Sequence, residues 1–344
     1  MPAKVQKAVS QPNWKAAVME QAAVTPQSQT SPISVKRLGY NIAAEISDVD
    51  LAKPDDAQVN AINNALLENE VLVFRDQDIP TAQFIDFGNK FGELTTNPFS
   101  PTHGENPELI ILDYHKDNPP RLTDNWHSDE TFRETPPKGT MLRSLIAPRI
   151  GGDTMFASMS AAYEGLSDKT QRMISDLRFM VDFTPFRRVF GNDDDSLHKL
   201  REIEKEHPIL SHPVVRVHPE SGRKSIFVNS QFAIGIEGMK DSESRPLLEM
   251  LYAQAGVPEY QFRLQWQPNT IAFWDNRVVL HYAIHDYYPQ RRLLERLTIK
   301  GDKPFGVEAN YKGPFIPRRD IELIEVDQPP SPDDGPVRMF KQSE

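Results

Sequence analysis

The chain has 344 residues and a formal charge of −10, from 39 basic and 49 acidic side chains. An acidic balance without a long Lys/Arg run argues against nucleic-acid binding driven by counterion release. There is no cysteine, which excludes disulfides, thiolate metal sites and cysteine nucleophiles. Any metal must then rest on imidazole and carboxylate, which suits non-haem iron, manganese or zinc. No apolar run reaches the length of a membrane span, and no leucine- or valine-rich stretch follows the N-terminal lysines, so no membrane association and a cytoplasmic location are expected.

In chain order, residues 1–33 are rich in Ala, Gln, Ser and Pro without a sustained period, and read as a mobile extension. A partner-binding arm or an oligomer clasp is the functional alternative. A helix is expected over 56–69, where Val59, Ile62 and Leu66 fall at helical spacing. The run "VLVFRDQ" (71–77) reads as a strand, and a second helix follows Thr81, whose hydroxyl can cap it. Further strands are expected at 108–114, 140–148, 214–218 and 225–230, the last two joined as a hairpin through "PESGR". A third helix is expected at 244–255, and strands at 270–283 and 291–301. Residues 34–325 read as a single domain, and "DQPPSPDDGP" opens a flexible tail over 326–344. Many short strands with a few helices outside them predict a mostly β fold with helical decoration, a jelly-roll sandwich.

Within "TDNWHSDE" (123–130) lies His127-x-Asp129. Alternate residues of a strand point to one face, so this pair can offer two ligands together. Two imidazoles and a carboxylate on one face of an octahedron leave three positions for substrate, cosubstrate and oxygen. His281, in the strand-like "FWDNRVVLHYA", is the preferred distal imidazole. Other arrangements stay open on spacing alone. His115-x-Asp117 lies in a Pro-rich turn and His218-x-Glu220 in the hairpin turn, both read as solvated. His285 stands four residues after His281, a zinc spacing on a helix, which the β-branched run disfavours. Arg292 follows on the next expected strand and can hold a carboxylate bidentately. Thr154, in "GGDT", can add a hydroxyl to the same carboxylate. Arg296 lies four residues beyond Arg292, on the same strand face, and can meet a second anion. The competing reading of each Arg is a surface salt bridge.

Taken together, "GYNIAAEISDVDLAKP", "VLVFRDQDI", "FGEL", "NWHSDETFRETPP", "GGDTMFASMSAAYEGLS", "HPVVRVHPESGRKSIFVN" and "WDNRVVLHYAIHDYYPQRRLLERLTIKGDKPF" resemble the taurine/alpha-ketoglutarate dioxygenase (TauD/TfdA) family over residues 35–306. The resemblance implies a double-stranded β-helix, a cupin-like jelly roll. It implies Fe(II) on His127, Asp129 and His281, and 2-oxoglutarate as cosubstrate, its far carboxylate on Arg292 and Thr154. It further implies O2 as oxidant, ascorbate as reductant in vitro, and assembly into dimers or tetramers. The family couples oxidative decarboxylation of 2-oxoglutarate to substrate hydroxylation. Arg296 matches the position that pairs with a substrate sulfonate, so a small anionic organic substrate is expected.

Departures from the taurine enzymes shape the substrate reading. Asn97 and Thr123 stand where those enzymes carry a His and an Asn. Phe186 and Arg187 replace a smaller polar residue and an aromatic, while Phe232 is retained as an apolar wall. The pocket therefore reads as more apolar, favouring an alkyl sulfonate or alkyl sulfate ester. Taurine itself and aryloxyalkanoates are the alternatives. Two other classes compete. A non-catalytic β-sandwich should have lost a ligand or the Arg clamp, and none is lost. A zinc hydrolase lacks an evident base, since Glu130 should face away from Asp129 on a strand.

Overall fold

Val71–Phe74 (β3) is buried at every residue, because the sheet that contains it is covered on both faces. Leu72 and Phe74 pack with Ile62 and Leu66 of helix α1 (Asp56–Asn69) and with Phe84 and Phe87 of α2 (Thr81–Asn89). Val71 and Val73 point the other way, toward Phe156, Leu264 and Val279. Those three belong to β7 (Thr154–Ser158), β13 (Gln261–Leu264) and β15 (Val279–Ala283), a separate three-stranded sheet of order β13-β7-β15. The period of two in a strand thus feeds one helix-covered layer and one sheet-to-sheet layer. The computed structural model describes residues 32–97, 102–120, 123–183, 187, 193–307 and 311–318.

The large sheet has eight strands in the order β1-β2-β3-β14-β6-β16-β5-β4. They are β1 (Ser34–Arg37), β2 (Ala44–Ser47), β3, β4 (Thr102–His103), β5 (Asn106–Tyr114), β6 (Gly139–Ile146), β14 (Ile271–Asp275) and β16 (Arg292–Ile299). All neighbours run antiparallel except β2 and β3. The same two-sided burial recurs on β14, where Ile271 and Phe273 face the helices and Ala272 and Trp274 face the small sheet. A third apolar cluster, built on Phe132, Phe179, Phe227 and Phe232, is closed by Leu248 and Leu251 of α6 (Asp241–Ala253). It also packs the strands β8 (Arg178–Val181), β9 (Leu210–Pro213) and β12 (Ala233–Ile236), a sheet of order β12-β8-β9.

Several expectations change in detail. The expected strand over 270–283 is two strands: Asp275 accepts the N–H of Arg277 and of Val278, turning the chain so that β14 joins the large sheet and β15 the small one. Thr81 does not cap α2. Pro80 occupies the cap position, and the Thr81 hydroxyl donates to Glu295 (3.1 Å). The hairpin of β10 (Val215–Val217) and β11 (Lys224–Ile226) forms as expected. His218, however, is buried rather than solvated, with Nε2 3.0 Å from Asp275 and Nδ1 accepting from the Ser221 N–H. Among the described residues, three α-helices escaped the sequence reading: α3 (Met159–Glu164), α4 (Asp168–Ile174) and α5 (Asp194–Glu206). The first two are too short to show a period, and α5 buries no residue, so it carries no apolar stripe.

Candidate metal centre and active-site cavity

His127 and His281 are brought together by the backbone. They form an isolated antiparallel bridge, with His127 N–H donating to the His281 carbonyl (3.0 Å) and the reverse bond at 2.8 Å. Side chains of such a directly opposed pair leave the same face, and the two rings lie 4.2 Å apart. The Ala283 N–H donates to the Thr123 carbonyl (2.9 Å), so segment 123–127 runs along the free edge of β15. Past His127 the chain leaves the sheet. Asp129 sits in a turn, and Glu130 takes a left-handed backbone (φ 45°). The pleat argument for His127-x-Asp129 therefore reaches the right grouping by the wrong geometry. With Asp129 in this turn its carboxylate still meets the imidazoles, and Glu130, expected to face away, lies with Asp129 against the same Arg296 guanidinium.

The three donors lie within 4.8 Å of one another, and all three residues are buried. His127 Nδ1 donates to the Asn125 carbonyl (2.8 Å), which leaves Nε2 as the lone pair. His281 Nε2 lies 3.7 Å from Asp129 Oδ1. The other oxygen, Oδ2, accepts from Thr140 (2.6 Å). Thr140 accepts from Asn276 (2.8 Å), and Asn276 in turn from the Trp274 indole (2.9 Å). The relay fixes which carboxylate oxygen faces the histidines. Burial pushes Asp129 upward, but Arg296, the two imidazoles and the Thr140 hydroxyl outweigh it and hold the carboxyl at about 2. Burial, reinforced by His127, pushes His281 down to about 3, and burial lowers His127 as well. Two neutral imidazoles and one carboxylate are the protonation state a metal requires, so the donor set fits a divalent ion of the iron type.

A cavity opens beside the triad. Leu112, Tyr114, Leu142, Leu294, Arg292 and Arg296 from the large sheet line one wall, and Thr154, His281 and Ala283 from the small sheet line the other. Strand β16 accounts for the division of labour. Arg292, Leu294 and Arg296 alternate into the cavity, while Glu295 points to the opposite face and pairs with buried Arg143. Arg291 alone matches the competing reading, an exposed ion pair with Asp113 (2.8 Å).

Arg292 is 3% exposed, and among the described residues no carboxylate pairs with it. Its Nη2 donates to the Thr154 hydroxyl (3.3 Å), its guanidinium lies 5.7 Å from the Trp266 ring centre, and its Nε has no partner. The Trp266 indole also donates to Thr154 (2.9 Å), which leaves the Thr154 proton free to donate elsewhere. A buried, unpaired guanidinium beside a free hydroxyl is a site built for an anion. Arg296 lies nearer the triad, with Nη2 3.0 Å from Asp129 Oδ1 and 3.7 Å from Glu130 Oε1, while its Nε is unpartnered.

The other expected site residues are placed differently. Thr123 lines the cavity, its hydroxyl 3.0 Å from His285 Nε2. Asn97 is buried one contact further back, donating to Glu130 (2.6 Å). Phe232 packs on Phe132 in the third apolar cluster (5.3 Å between ring centres). Phe186 lies outside the described residues, and Arg187 pairs with Asp182 (2.8 Å) and Glu204 (3.1 Å). The sequence reading set Glu130 aside as facing away, and it missed Thr140, Asn276 and the cavity residues Leu112, Tyr114 and Leu294. Alternation from Arg292 would have found Leu294, and the pairing of β16 with β5 sets Tyr114 opposite Arg292. Thr140 and Asn276 carry no such signal.

Comparison with known proteins shows the family. The chain is 32% identical to an alkylsulfatase of Acinetobacter baylyi over 309 residues, which is 88% of this chain and 95% of that one. It is also 32% identical to an alpha-ketoglutarate-dependent sulfate ester dioxygenase of Pseudomonas putida, covering 85% of this chain and 97% of the relative. The crystal structure of a taurine dioxygenase from Burkholderia xenovorans superposes with a TM-score of 0.69 at 34% identity, over 80% of this chain and 93% of that one. Residues 34–298 match the family described as taurine catabolism dioxygenase TauD, TfdA family, and the chain belongs to that family.

Proposed function

We propose that the protein is an Fe(II)- and 2-oxoglutarate-dependent dioxygenase that hydroxylates the carbon next to the heteroatom group of an alkyl sulfate ester or alkyl sulfonate. The observation that carries this reading is the pair of guanidiniums on one face of β16, flanking the His127/Asp129/His281 triad in one cavity. One of them is buried with no carboxylate partner among the described residues. Bound iron supplies the oxygen-activating chemistry. Arg292 and Thr154 hold the far carboxylate of 2-oxoglutarate, and Arg296 holds the anionic head of the substrate. Leu112, Leu142 and Leu294 give the cavity an apolar lining that suits an alkyl chain and sheds water. The reaction consumes O2 and 2-oxoglutarate and yields succinate, CO2 and a substrate hydroxylated beside the heteroatom. That adduct breaks down to an aldehyde with release of sulfate or sulfite. The relatives named alkylsulfatase and sulfate ester dioxygenase support this substrate class.

The same reading takes residues 34–325 as one dioxygenase domain, and the two facing sheets as a double-stranded β-helix. The test is succinate formation with Fe(II), ascorbate, O2 and 2-oxoglutarate across alkyl sulfates, alkanesulfonates, taurine and aryloxyacetates. Succinate should rise above the substrate-free rate with alkyl sulfates or sulfonates and require oxygen. A response to aryloxyacetates alone would overturn the substrate class, and a background rate throughout would overturn the anion assignment.

A further inference from the structure

Glu130 is a second carboxylate buried beside the triad, 3% exposed, and the chemistry proposed above makes no use of it. Its left-handed backbone turns it toward Arg296, with Oε1 3.7 Å from Nη2. Asn97 donates to Oε1 (2.6 Å), and Arg133 caps Oε2 from the protein surface. His207 lies within electrostatic range of Glu130 and Arg133, and burial, aided by Arg133, lowers its basicity. Arg296 therefore faces the cavity with Asp129 on one side and Glu130 behind. Glu130 is absent from the cavity lining, so it acts on a ligand through the guanidinium. One negative charge laid on Arg296 meets a cation. A second charge on the same head group would feel Glu130 across that guanidinium. Among the described residues Arg292 is the other arginine of the cavity, and the far carboxylate of 2-oxoglutarate occupies it, while the two charges of bound Fe(II) are met by Asp129 and the near carboxylate of 2-oxoglutarate.

We propose that Glu130 is a specificity-determining residue that filters substrates by charge: acting through Arg296, it admits tetrahedral monoanions such as sulfate esters and sulfonates and rejects isosteric dianions such as alkyl phosphates. The inference rests on the dioxygenase reading with an anionic head on Arg296. A sulfate monoester and a phosphate monoester of the same chain share their shape and differ by one charge, so the test isolates charge.

The experiment is calorimetric binding of an alkyl sulfate and the matching alkyl phosphate to anaerobic protein loaded with Fe(II) and 2-oxoglutarate. With a second phosphate pKa of about 6, acceptance of the monoanion alone weakens the phosphate about fiftyfold between about pH 6 and about pH 8. The alkyl sulfate keeps its charge over that range, so its affinity registers any titration of the protein itself, including His285 and His207. In Glu130→Gln the loss for the phosphate should shrink by on the order of tenfold, because a like charge at this range has gone. Glu130→Asp should keep the discrimination. Phosphate binding in the wild type that does not weaken with pH, while the sulfate binds, would overturn the filter and leave the dioxygenase reading intact. So would an unreduced loss in the folded Gln variant. Failure of the sulfate to bind at all would overturn the substrate reading and the filter with it. The wild-type comparison needs no variant, so the filter can be overturned even where the Gln protein does not fold.

Discussion

Thr140→Val tests whether the metal ligand Asp129 is oriented by the relay behind it. The substitution conserves volume and removes one hydroxyl, which donates to Asp129 Oδ2 (2.6 Å) and accepts from Asn276 Nδ2 (2.8 Å). A hydrogen bond to a charged acceptor contributes about 1.5–3 kcal/mol. Lost contacts behind a metal ligand typically weaken metal binding by about 10- to 100-fold. The Asn276 amide loses its acceptor in a fully buried site, which costs a further ~1–3 kcal/mol of stability. Two readouts follow. Titration with Mn(II) should show binding weaker by one to two orders of magnitude, and urea unfolding of the metal-free protein should show the stability loss. Thr140→Ser restores the hydroxyl and should recover most of both. A folded Val variant that binds Mn(II) as tightly as the wild type would refute the reasoning, and would leave Arg296, 3.0 Å from Oδ1, as the group that holds Asp129.

Four further outcomes are expected. Asp129→Ala leaves two imidazoles and should abolish tight metal binding; a variant that still takes up metal stoichiometrically would displace the triad assignment. Arg292→Ala should raise the 2-oxoglutarate concentration needed for half-maximal succinate formation by on the order of a hundredfold, with Lys a poor replacement because it lacks the planar fork; an unchanged requirement would move the clamp elsewhere. Arg296→Ala should weaken the alkyl sulfate selectively, and an equal loss toward 2-oxoglutarate would count against its role. His212 bears on stability. Burial lowers its imidazole to about 4, while Nε2 lies 2.9 Å from the Thr131 carbonyl. Between its ordinary value of 6.5 and about 4 the unfolded chain binds the extra proton, so stability is complete above that window and falls as the pH drops through it. The loss should amount to about 3 kcal/mol. His212→Gln should flatten that part of the stability profile, and parallel profiles for the two proteins would dismiss the effect.

How far the sequence reached depended on the range of the signal. Helix α1 was legible because Val59, Ile62 and Leu66 keep the period, and the structure adds a capping box of Asp55 with Gln58 at its start. Strands buried on both faces, such as Val71–Phe74, announced themselves as continuous apolar runs. The metal ligands and both arginines were legible as residue types at spacings that also matched a family. Arg292 and Arg296 owe their shared face to strand alternation alone, which needs no tertiary knowledge.

The tertiary structure decided what depends on chain reversal and on burial. The turn after His127 takes Asp129 out of the strand pairing, and the left-handed Glu130 beside it places its own carboxylate near Arg296. His218 looked like a turn residue until Asp275, from a distant strand, buried it in a hydrogen bond. Nothing local distinguishes Thr140 or Asn276 from any other polar residue. Their roles come from packing β6 beside β14, which brings Asn276 to a hydroxyl 136 positions away. Residue types and period are local properties and survive in the linear chain. Which buried charge is paired, and which is left for a ligand, is set only when distant strands close around it.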